Sequence, residues 1–316
     1  METLKPVVGR YAPSPTGRLH LGNARTGLLA WLSARAAGGR FVMRVEDLDP
    51  QRSKRAHEQR QLDDLRWLGL DWDEGPDVGG PHGPYRQSER GEHYEEALAR
   101  LDTFACTCTR RELREAREAH DAVSAPHGAE PVYPGTCRDG PTHPERPAAR
   151  RWRVPAGEVW FDDRIAGRRR QNVAREVGDF VLRRADRAWA YQLAVVVDDA
   201  AMGVTEIVRG ADLLDSSPRQ ILLQRSLGLP TPTYAHVPLI VGPDGGKLNK
   251  RHGAPDLSAL REAGVDPRRV VAALARSAGL LGDEDAWVHP RELIRAFDPA
   301  RIAREPSTLE LDTLIP

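Results

Sequence analysis

The amino-acid sequence predicts an α/β fold built around a doubly wound parallel sheet. Two observations carry that expectation. Short apolar runs bounded by Pro and Gly alternate with stretches of helical periodicity, reading strand–helix–strand–helix over residues 6–68. The first strand-like run also enters a Pro- and Gly-rich turn that opens directly into a helix. At 316 residues the chain is long enough for about two domains.

Taken in order, Pro6–Tyr11 (PVVGRY) predicts the first strand and residues 12–17 (APSPTG) the turn. From Leu19 the apolar spacing of Leu21, Leu28, Leu29, Trp31 and Leu32 predicts a helix that stops at Gly38-Gly39. Arg40–Glu46 (RFVMRVE) reads as the second strand and Ser53–Leu68 as the second helix. Residues 75–91 read as loop, Glu92–Asp102 as helix, and Arg110–His120 as a charged helix after Cys106-Thr107-Cys108. Asp121–Pro147, dense in Pro, Gly and His and carrying Cys137, reads as an insertion. Arg151–Phe161 and Phe180–Val197 read as strands, the second nearly continuous and apolar after Ala188. Ser216–Leu227 predicts a helix with Pro218 in its first turn. Tyr234–Val241 predicts a strand running into residues 242–251, followed by helices over Leu257–Ala263 and Pro267–Leu280.

Composition narrows the function classes. With 40% hydrophobic and 29% charged residues, a soluble globular protein is expected rather than a disordered or fibrous one. Lys+Arg and Asp+Glu both number 46, so an RNA partner would be met by a local patch and not by bulk charge. The three cysteines are too few for a disulfide framework. No apolar run reaches the roughly 18 residues of a membrane span, and residues 1–17 hold no apolar signal core. A cytoplasmic protein without a membrane partner is expected.

Three segments have residue types suited to chemistry. In residues 10–23 (RYAPSPTGRLHLGN) a strand turns straight into a helix start, whose unpaired N–H groups and dipole favour an anion such as phosphate. His20 lies just inside that helix, where its imidazole could touch a phosphate, and Gly22 leaves room for a flat ring against the backbone. The same residues also suit an ordinary strand-to-helix turn. In residues 245–251 (GGKLNKR) a Gly pair precedes a cationic cluster, as suits a loop closing over phosphates. Lysine occurs only at Lys5, Lys54, Lys247 and Lys250, and every other cation is Arg. Two lysines retained three residues apart point to a need for a compact point charge with three donors. Residues 45–49 (VEDLD) place carboxylates at a strand's carboxyl end, where ligands of open α/β sheets bind. Glu46 there suits an ammonium or a metal, while Asp49 before Pro50 suits a cap. Arg209, beside an apolar segment, suits a two-pronged contact with a carboxylate or a structural ion pair.

Together these segments resemble the class I aminoacyl-tRNA synthetases of the glutamate group. HLGN at His20–Asn23 is similar to their HIGH motif, and KLNKR at Lys247–Arg251 to their KMSKS loop, with Asn23 and Asn249 as departures. RYAPSPTG, RVEDLD and IVRGADLLDSS match in order and spacing, so the resemblance spans most of residues 6–255. Only 65 residues follow Arg251, too few for an anticodon-binding domain of typical size. The chain therefore resembles a truncated branch, the glutamyl-queuosine tRNA(Asp) synthetases.

The resemblance implies a Rossmann-type class I catalytic domain split as residues 1–104 and 188–255. Residues 105–187 would form an inserted connective region with a zinc-binding segment, and 256–316 a C-terminal helical part. It implies activation of glutamate by ATP without tRNA, then transfer to the queuosine base at the wobble position of tRNA(Asp). ATP with Mg²⁺, L-glutamate and the queuosine-bearing anticodon stem-loop are the implied partners, and a monomer is expected. His20, Lys247 and Lys250 would be catalytic, and His20, Gly22, Asn23 and Lys250 would bind ATP. Arg10, Tyr11, Ala12, Pro13, Ser14, Glu46, Tyr191 and Arg209 would hold glutamate. Cys106, Cys108, Tyr133 and Cys137 match the branch's C-x-C…Y-x-x-x-C zinc pattern, with 24 residues between Cys108 and Tyr133. Three thiolates and one further ligand suit a tetrahedral Zn²⁺. His120, His127 or His143 is an alternative fourth ligand. Arg150-Arg151, Arg168–Arg170 and Arg183-Arg184 are candidate phosphate contacts or simply solvated surface. Alternative functions are an enzyme charging a tRNA 3′ end, or a non-catalytic nucleotide- or RNA-binding regulator.

Overall fold

The computed structural model describes residues 6–120, 132–248, 250–282, 284–311 and 314, with side chains of 116–120 and 250 excepted. Its first unit is the expected one. Strand β1 (Val8–Tyr11) and strand β2 (Arg40–Met43) pair in parallel, Val8 opposite Arg40, joined by helix α1 (Leu21–Ala36). Helix α2 (Arg55–Trp67) and helix α3 (Gly91–Ala99) follow. Next come strand β3 (Thr103–Cys106), helix α4 (Arg110–His120), strand β4 (Ala149–Trp152), strand β5 (Val159–Asp163) and strand β6 (Gly167–Gln171). Helix α5 (Val173–Glu176), strand β7 (Val181–Arg183), helix α6 (Tyr191–Ala201) and strand β8 (Glu206–Gly210) lead to helix α7 (Ser217–Ser226) and strand β9 (Thr233–Val237). Helices α8 (Leu257–Glu262), α9 (Pro267–Ser277) and α10 (Pro290–Leu293) end the series.

The parallel layer reverses its order once. β8 pairs in parallel with β9 on one side. On the other its base is bonded to β1, where Thr205 N–H donates to Val8 O and Val8 N–H to Thr205 Oγ1, both at 2.9 Å. Beyond β2, Glu74 and Arg86 make further parallel bridges to Val42 and Val45. The chain thus winds outward one way from β1 and the other way from β8. The gap between their carboxyl ends is the switch point where such sheets bind ligands. β5 extends the β9 edge in parallel through Asp163 opposite Tyr234, and β6 closes it antiparallel.

Apolar clusters lie on both faces of this layer, α1, α8 and α9 contributing to one and α3, α6 and α7 to the other. β3, β4 and β7 form a separate antiparallel sheet. Phe104, Cys106, Tyr133 and Cys137 make a small core of their own there.

Three sequence expectations are corrected. Phe180–Val197 is not one strand: β7 stops at Arg183, the chain turns through Arg187 at φ 67°, and Tyr191–Ala201 is helical. All of residues 193–199 are buried, and a short helix buried all round has the same unbroken apolar run as a buried strand. Arg151–Phe161 breaks at Pro155-Ala156-Gly157 into β4 and β5, which belong to different sheets. Tyr234–Val241 ends as a strand at Val237, because Pro238 has no N–H to continue the ladder. The strand over residues 103–106 had no clear alternation to announce it.

Candidate active site

Arg10, from the end of β1, and Arg209, from β8, enter the switch-point crevice from opposite sides, 5% and 3% exposed. Their surroundings differ. Arg209 uses the whole guanidinium: Nε donates to His236 Nε2 (2.9 Å), Nη1 to Gln220 Oε1 (2.8 Å), and Nη2 to Ser217 Oγ (2.8 Å). Two longer contacts, Nη1 to Tyr191 OH (3.5 Å) and Nη2 to Leu213 O (3.3 Å), complete it. Those two are the weakest and the most readily exchanged for a ligand carboxylate. Arg10 is less engaged. Its Nε makes no hydrogen bond and only a 3.5 Å ion pair with Asp199, and its Nη1 reaches Val208 O at 3.4 Å. A buried donor left in that condition calls for a partner.

Arg44 ties this side together. It is fully buried and donates to Asp199 Oδ1 (2.7 Å) and to Glu46 Oε1 (3.1 Å). Burial opposes its charge, but Asp199, Asp198 and Glu46 outweigh that and hold its pKa above the ordinary value. Burial opposes the Asp199 charge too, and Arg44 and Arg10 overcome it, so its pKa lies below the usual range. Glu46 is pushed upward by burial, against the pull of Arg44 and Arg10. Asp198 accepts from Arg90 Nε (2.6 Å), Gln87 Nε2 (2.8 Å) and Tyr94 OH (2.9 Å). Tyr191 starts α6; burial raises its phenol pKa, and Arg209, Glu46, Arg10 and Asp199 all act on it. Arg10, Glu46, Tyr191 and Arg209, distant in sequence, therefore share one crevice. The correction to α6 moves Tyr191 from a strand to a helix N-terminus without removing it from the site.

Above the crevice lies the turn of residues 12–17. Gln61 Nε2 donates to Ser14 O (3.1 Å) and Gly17 O (2.8 Å), and Glu46 N–H to Pro13 O (3.1 Å), so the turn that follows Ala12 is held through the carbonyls of Pro13, Ser14 and Gly17. Tyr11 is buried, and its OH donates to Asn23 O (3.0 Å). His20 is the N-cap of α1, just outside the helix rather than inside it as the periodicity from Leu19 implied, and its backbone bridges to Asp256 ahead of α8. No acidic residue lies in the first turn of α1, which leaves its positive end for an anion. A Cβ at Gly22 would meet open space.

Lys247 comes from across the site. Residues 240–248 form a hairpin: Leu248 N–H donates to Ile240 O (2.9 Å) and Gly242 N–H to Gly246 O (2.8 Å). Lys247 is exposed and pairs with Asp212 at 2.6 Å. Asn249 lies outside the described residues. Lys250 opens a short 3-10 turn to His252, and its side chain is likewise outside the description.

The cysteines gather in the smaller sheet. The Sγ atoms of Cys106, Cys108 and Cys137 all lie within 4.8 Å of one another. Tyr133 OH is 3.6 Å from Cys106 Sγ and accepts from Cys137 N–H at 2.7 Å. Burial would raise the Cys137 thiol pKa, but hydrogen bonds centred on Thr142 and Thr107 lower it to about 5, while burial and neighbouring thiols push Cys108 up to about 12. Three thiols at this spacing with a phenol beside them fit a closed tetrahedral ion such as Zn²⁺, which would tie β3 to the segment at 133–137. His143 is half-buried and directed to Glu112 and Glu145. His127 and the side chain of His120 lie outside the described residues.

The basic runs divide. Arg151 is buried, donating to Cys106 Sγ (3.2 Å) and Asp179 O (2.7 Å), and Arg150 donates to Thr103 Oγ1 (2.5 Å). Arg183 pairs with Glu95 and Arg184 with Asp186. Arg168, Arg169 and Arg170 stay exposed on the edge strand β6.

Sequence reasoning missed Arg44, Asp199, His236 and Gln220 as parts of this site. Two aspartates closing the apolar run AVVVDD were the available sign, since unpaired charge is not buried so deeply.

The class I tRNA synthetase (E and Q) catalytic domain matches this chain over residues 6–315. The chain is 53% identical to the glutamyl-Q tRNA(Asp) synthetase of Symbiobacterium thermophilum, over 97% of each. It is 56% identical to that of Deinococcus radiodurans, over 86% of this chain and 88% of the relative. It is also similar to the crystal structure of a glutamate tRNA ligase from Elizabethkingia meningosepticum in complex with its amino acid. There the identity is 31% and the TM-score 0.85, over 98% of this chain and 68% of the other.

Proposed function

This chain belongs to the glutamyl-Q tRNA(Asp) synthetases within the class I tRNA synthetase family, and we propose that it makes glutamyl-adenylate without tRNA and passes the glutamyl group to queuosine. It is an ATP-dependent ligase. In the first step a glutamate carboxylate oxygen attacks the α-phosphorus of ATP and pyrophosphate leaves. In the second, a hydroxyl of the queuosine ring at the wobble position of tRNA(Asp) attacks the activated carbonyl and AMP leaves. No side chain is acylated.

The observation that carries this reading is the pairing of two buried guanidiniums with a carboxylate at the switch point. Arg10 and Arg209 provide for the two carboxylates of glutamate, and Glu46 for its ammonium. Arg10 has an Nε without a hydrogen bond, and Arg209 has two long contacts to exchange. His20 and the start of α1 would meet the charge growing on the α-phosphate. Lys247 and Lys250 would neutralise the departing pyrophosphate, with Mg²⁺ arriving on ATP. The Cys106, Cys108, Cys137 and Tyr133 group would hold one structural Zn²⁺.

The test is glutamate-dependent ATP–pyrophosphate exchange without tRNA, with glutamine and aspartate as controls, followed by labelled glutamate transfer to tRNA(Asp) with and without queuosine. Exchange with glutamate alone and transfer only to the queuosine-bearing tRNA are expected. Exchange that requires tRNA, or label on the tRNA 3′ end, overturns the reading.

A further inference from the structure

Behind Arg209 lies a buried chain of polar groups that the proposed chemistry does not use. His236, on β9, is 1% exposed, and its Nε2 faces Arg209 Nε at 2.9 Å. Arg has only donors, so Nε2 must be the unprotonated, accepting nitrogen. The ring proton is then on Nδ1, which donates to Asp163 Oδ2 at 2.5 Å. Asp163, from the end of β5, is anchored through its other oxygen. Its Oδ1 accepts from Ala166 N–H (2.7 Å), Ile165 N–H (3.0 Å) and His236 N–H (3.2 Å). Ser217 Oγ, which accepts from Arg209 Nη2, also lies 3.1 Å from His236 Nε2. Three strands, β5, β9 and β8, thus contribute one link each to a line that ends at the guanidinium.

We propose that Asp163 and His236 form a positioning dyad for glutamate recognition: Asp163 fixes the Nδ1–H tautomer of His236, and the accepting Nε2 fixes the plane of Arg209. The proposal rests on Arg209 binding glutamate as read above. The dyad touches no substrate. A neutral imidazole serves here because a second cation would repel Arg209, and an imidazole protonated on Nε2 would oppose the Arg209 Nε–H. Burial and Arg209 lower the imidazole pKa while Asp163 raises it, and the net direction is down, which favours the neutral ring.

Asp163→Asn separates this from mere packing. The amide keeps the carboxylate's shape. Its oxygen can still accept from residues 165 and 166, but its NH₂ then faces His236 Nδ1. The imidazole must invert its tautomer and present Nε2–H to Arg209. We expect the glutamate KM in the exchange assay to rise about tenfold or more, with the ATP KM changed less than about twofold. Adding His236→Gln to Asp163→Asn returns an accepting oxygen at the Nε2 position and recovers most of the glutamate KM. In wild-type protein, ¹⁵N imidazole spectra should show His236 as the Nδ1–H tautomer, and in Asp163→Asn as Nε2–H. A wild-type His236 that is Nε2–H or imidazolium overturns the proposal even if no variant folds. An active wild type whose glutamate KM is untouched by Asp163→Asn overturns it as well. A wild type with no glutamate-dependent exchange removes the underlying reading instead, while the tautomer measurement still judges the dyad.

Discussion

The two halves of the site are built by opposite means. On the crevice floor two guanidiniums are buried and held: Arg209 by His236, Gln220 and Ser217, and Arg44 by Asp199 and Glu46. On the rim, Lys247 is 54% exposed on a Gly-rich hairpin and pairs with Asp212, itself 40% exposed. Under the proposed function, the difference follows from what each half would recognise. Telling glutamate from close relatives requires donors and charges fixed before binding, because a buried group left unmatched by the wrong ligand costs free energy. Stabilising a departing pyrophosphate requires charge delivered late, and an exposed lysine on a hairpin can move at little cost.

The sharpest way to break this contrast is Arg209→Ala. It removes a buried cation and leaves His236, Gln220 and Ser217 without their donor. Truncating one partner of a buried charged pair costs about 2–5 kcal/mol. Glutamate kcat/KM should therefore fall by about two to three orders of magnitude, while the ATP KM stays near wild type. Equal loss for both substrates, measured by exchange over a two-substrate grid, would mean that floor and rim are one unit.

The cysteine lobe offers a second contrast, with a smaller effect. Among the described residues its buried core is Phe104, Cys106, Tyr133 and Cys137, flanked by Cys108 and Leu113, with Arg151 stacked 4.0 Å over the Tyr133 ring. A core that small needs a further staple. Purified protein should hold one zinc per chain by elemental analysis. Cys137→Ser should lose it and unfold more easily by about 2 kcal/mol, the scale of a lost buried contact. Glutamate and ATP KM should be nearly unchanged, because the lobe meets the crevice through none of the groups described above. Metal-free wild-type protein of unaltered stability would remove zinc from the account.

Much of this was legible in the sequence, for a physical reason. Arg10, the 12–17 turn, His20 and Gly22 lie within one strand–turn–helix unit, so short-range pattern brings them together as candidates. Lys247 and Lys250 stand out because composition avoids lysine elsewhere. Arg44 with Asp199, and Asp163 with His236, are 155 and 73 residues apart. No local periodicity reports such pairs. The helix at 191–201 was hidden because burial on all sides erases the polar face that separates helix from strand. Arg150, Arg151 and Arg183 read as open surface, yet they are consumed by Thr103, Cys106 and Glu95. A run of cations does not reveal which carboxylates or carbonyls the fold will bring to it.

The finest test of the contrast is Lys247→Ala, whose effect should be confined to one rate. An ion pair between two exposed side chains contributes about 0–1 kcal/mol, so the melting temperature should hardly move. The glutamate KM should stay within about twofold of wild type, because no crevice group described above touches Lys247. The exchange rate at saturating substrates should fall by about tenfold, a loss of about 1.4 kcal/mol of stabilisation realised only as pyrophosphate departs. Lys247→Arg should recover little of that rate, since a planar guanidinium does not deliver charge as a compact ammonium does. If Lys247→Ala raised the glutamate KM as much as it lowered the rate, the rim would be part of the recognition surface, and the floor alone would not explain selectivity. If the arginine variant were fully active, the two lysines kept at Lys247 and Lys250 would need a reason other than charge geometry.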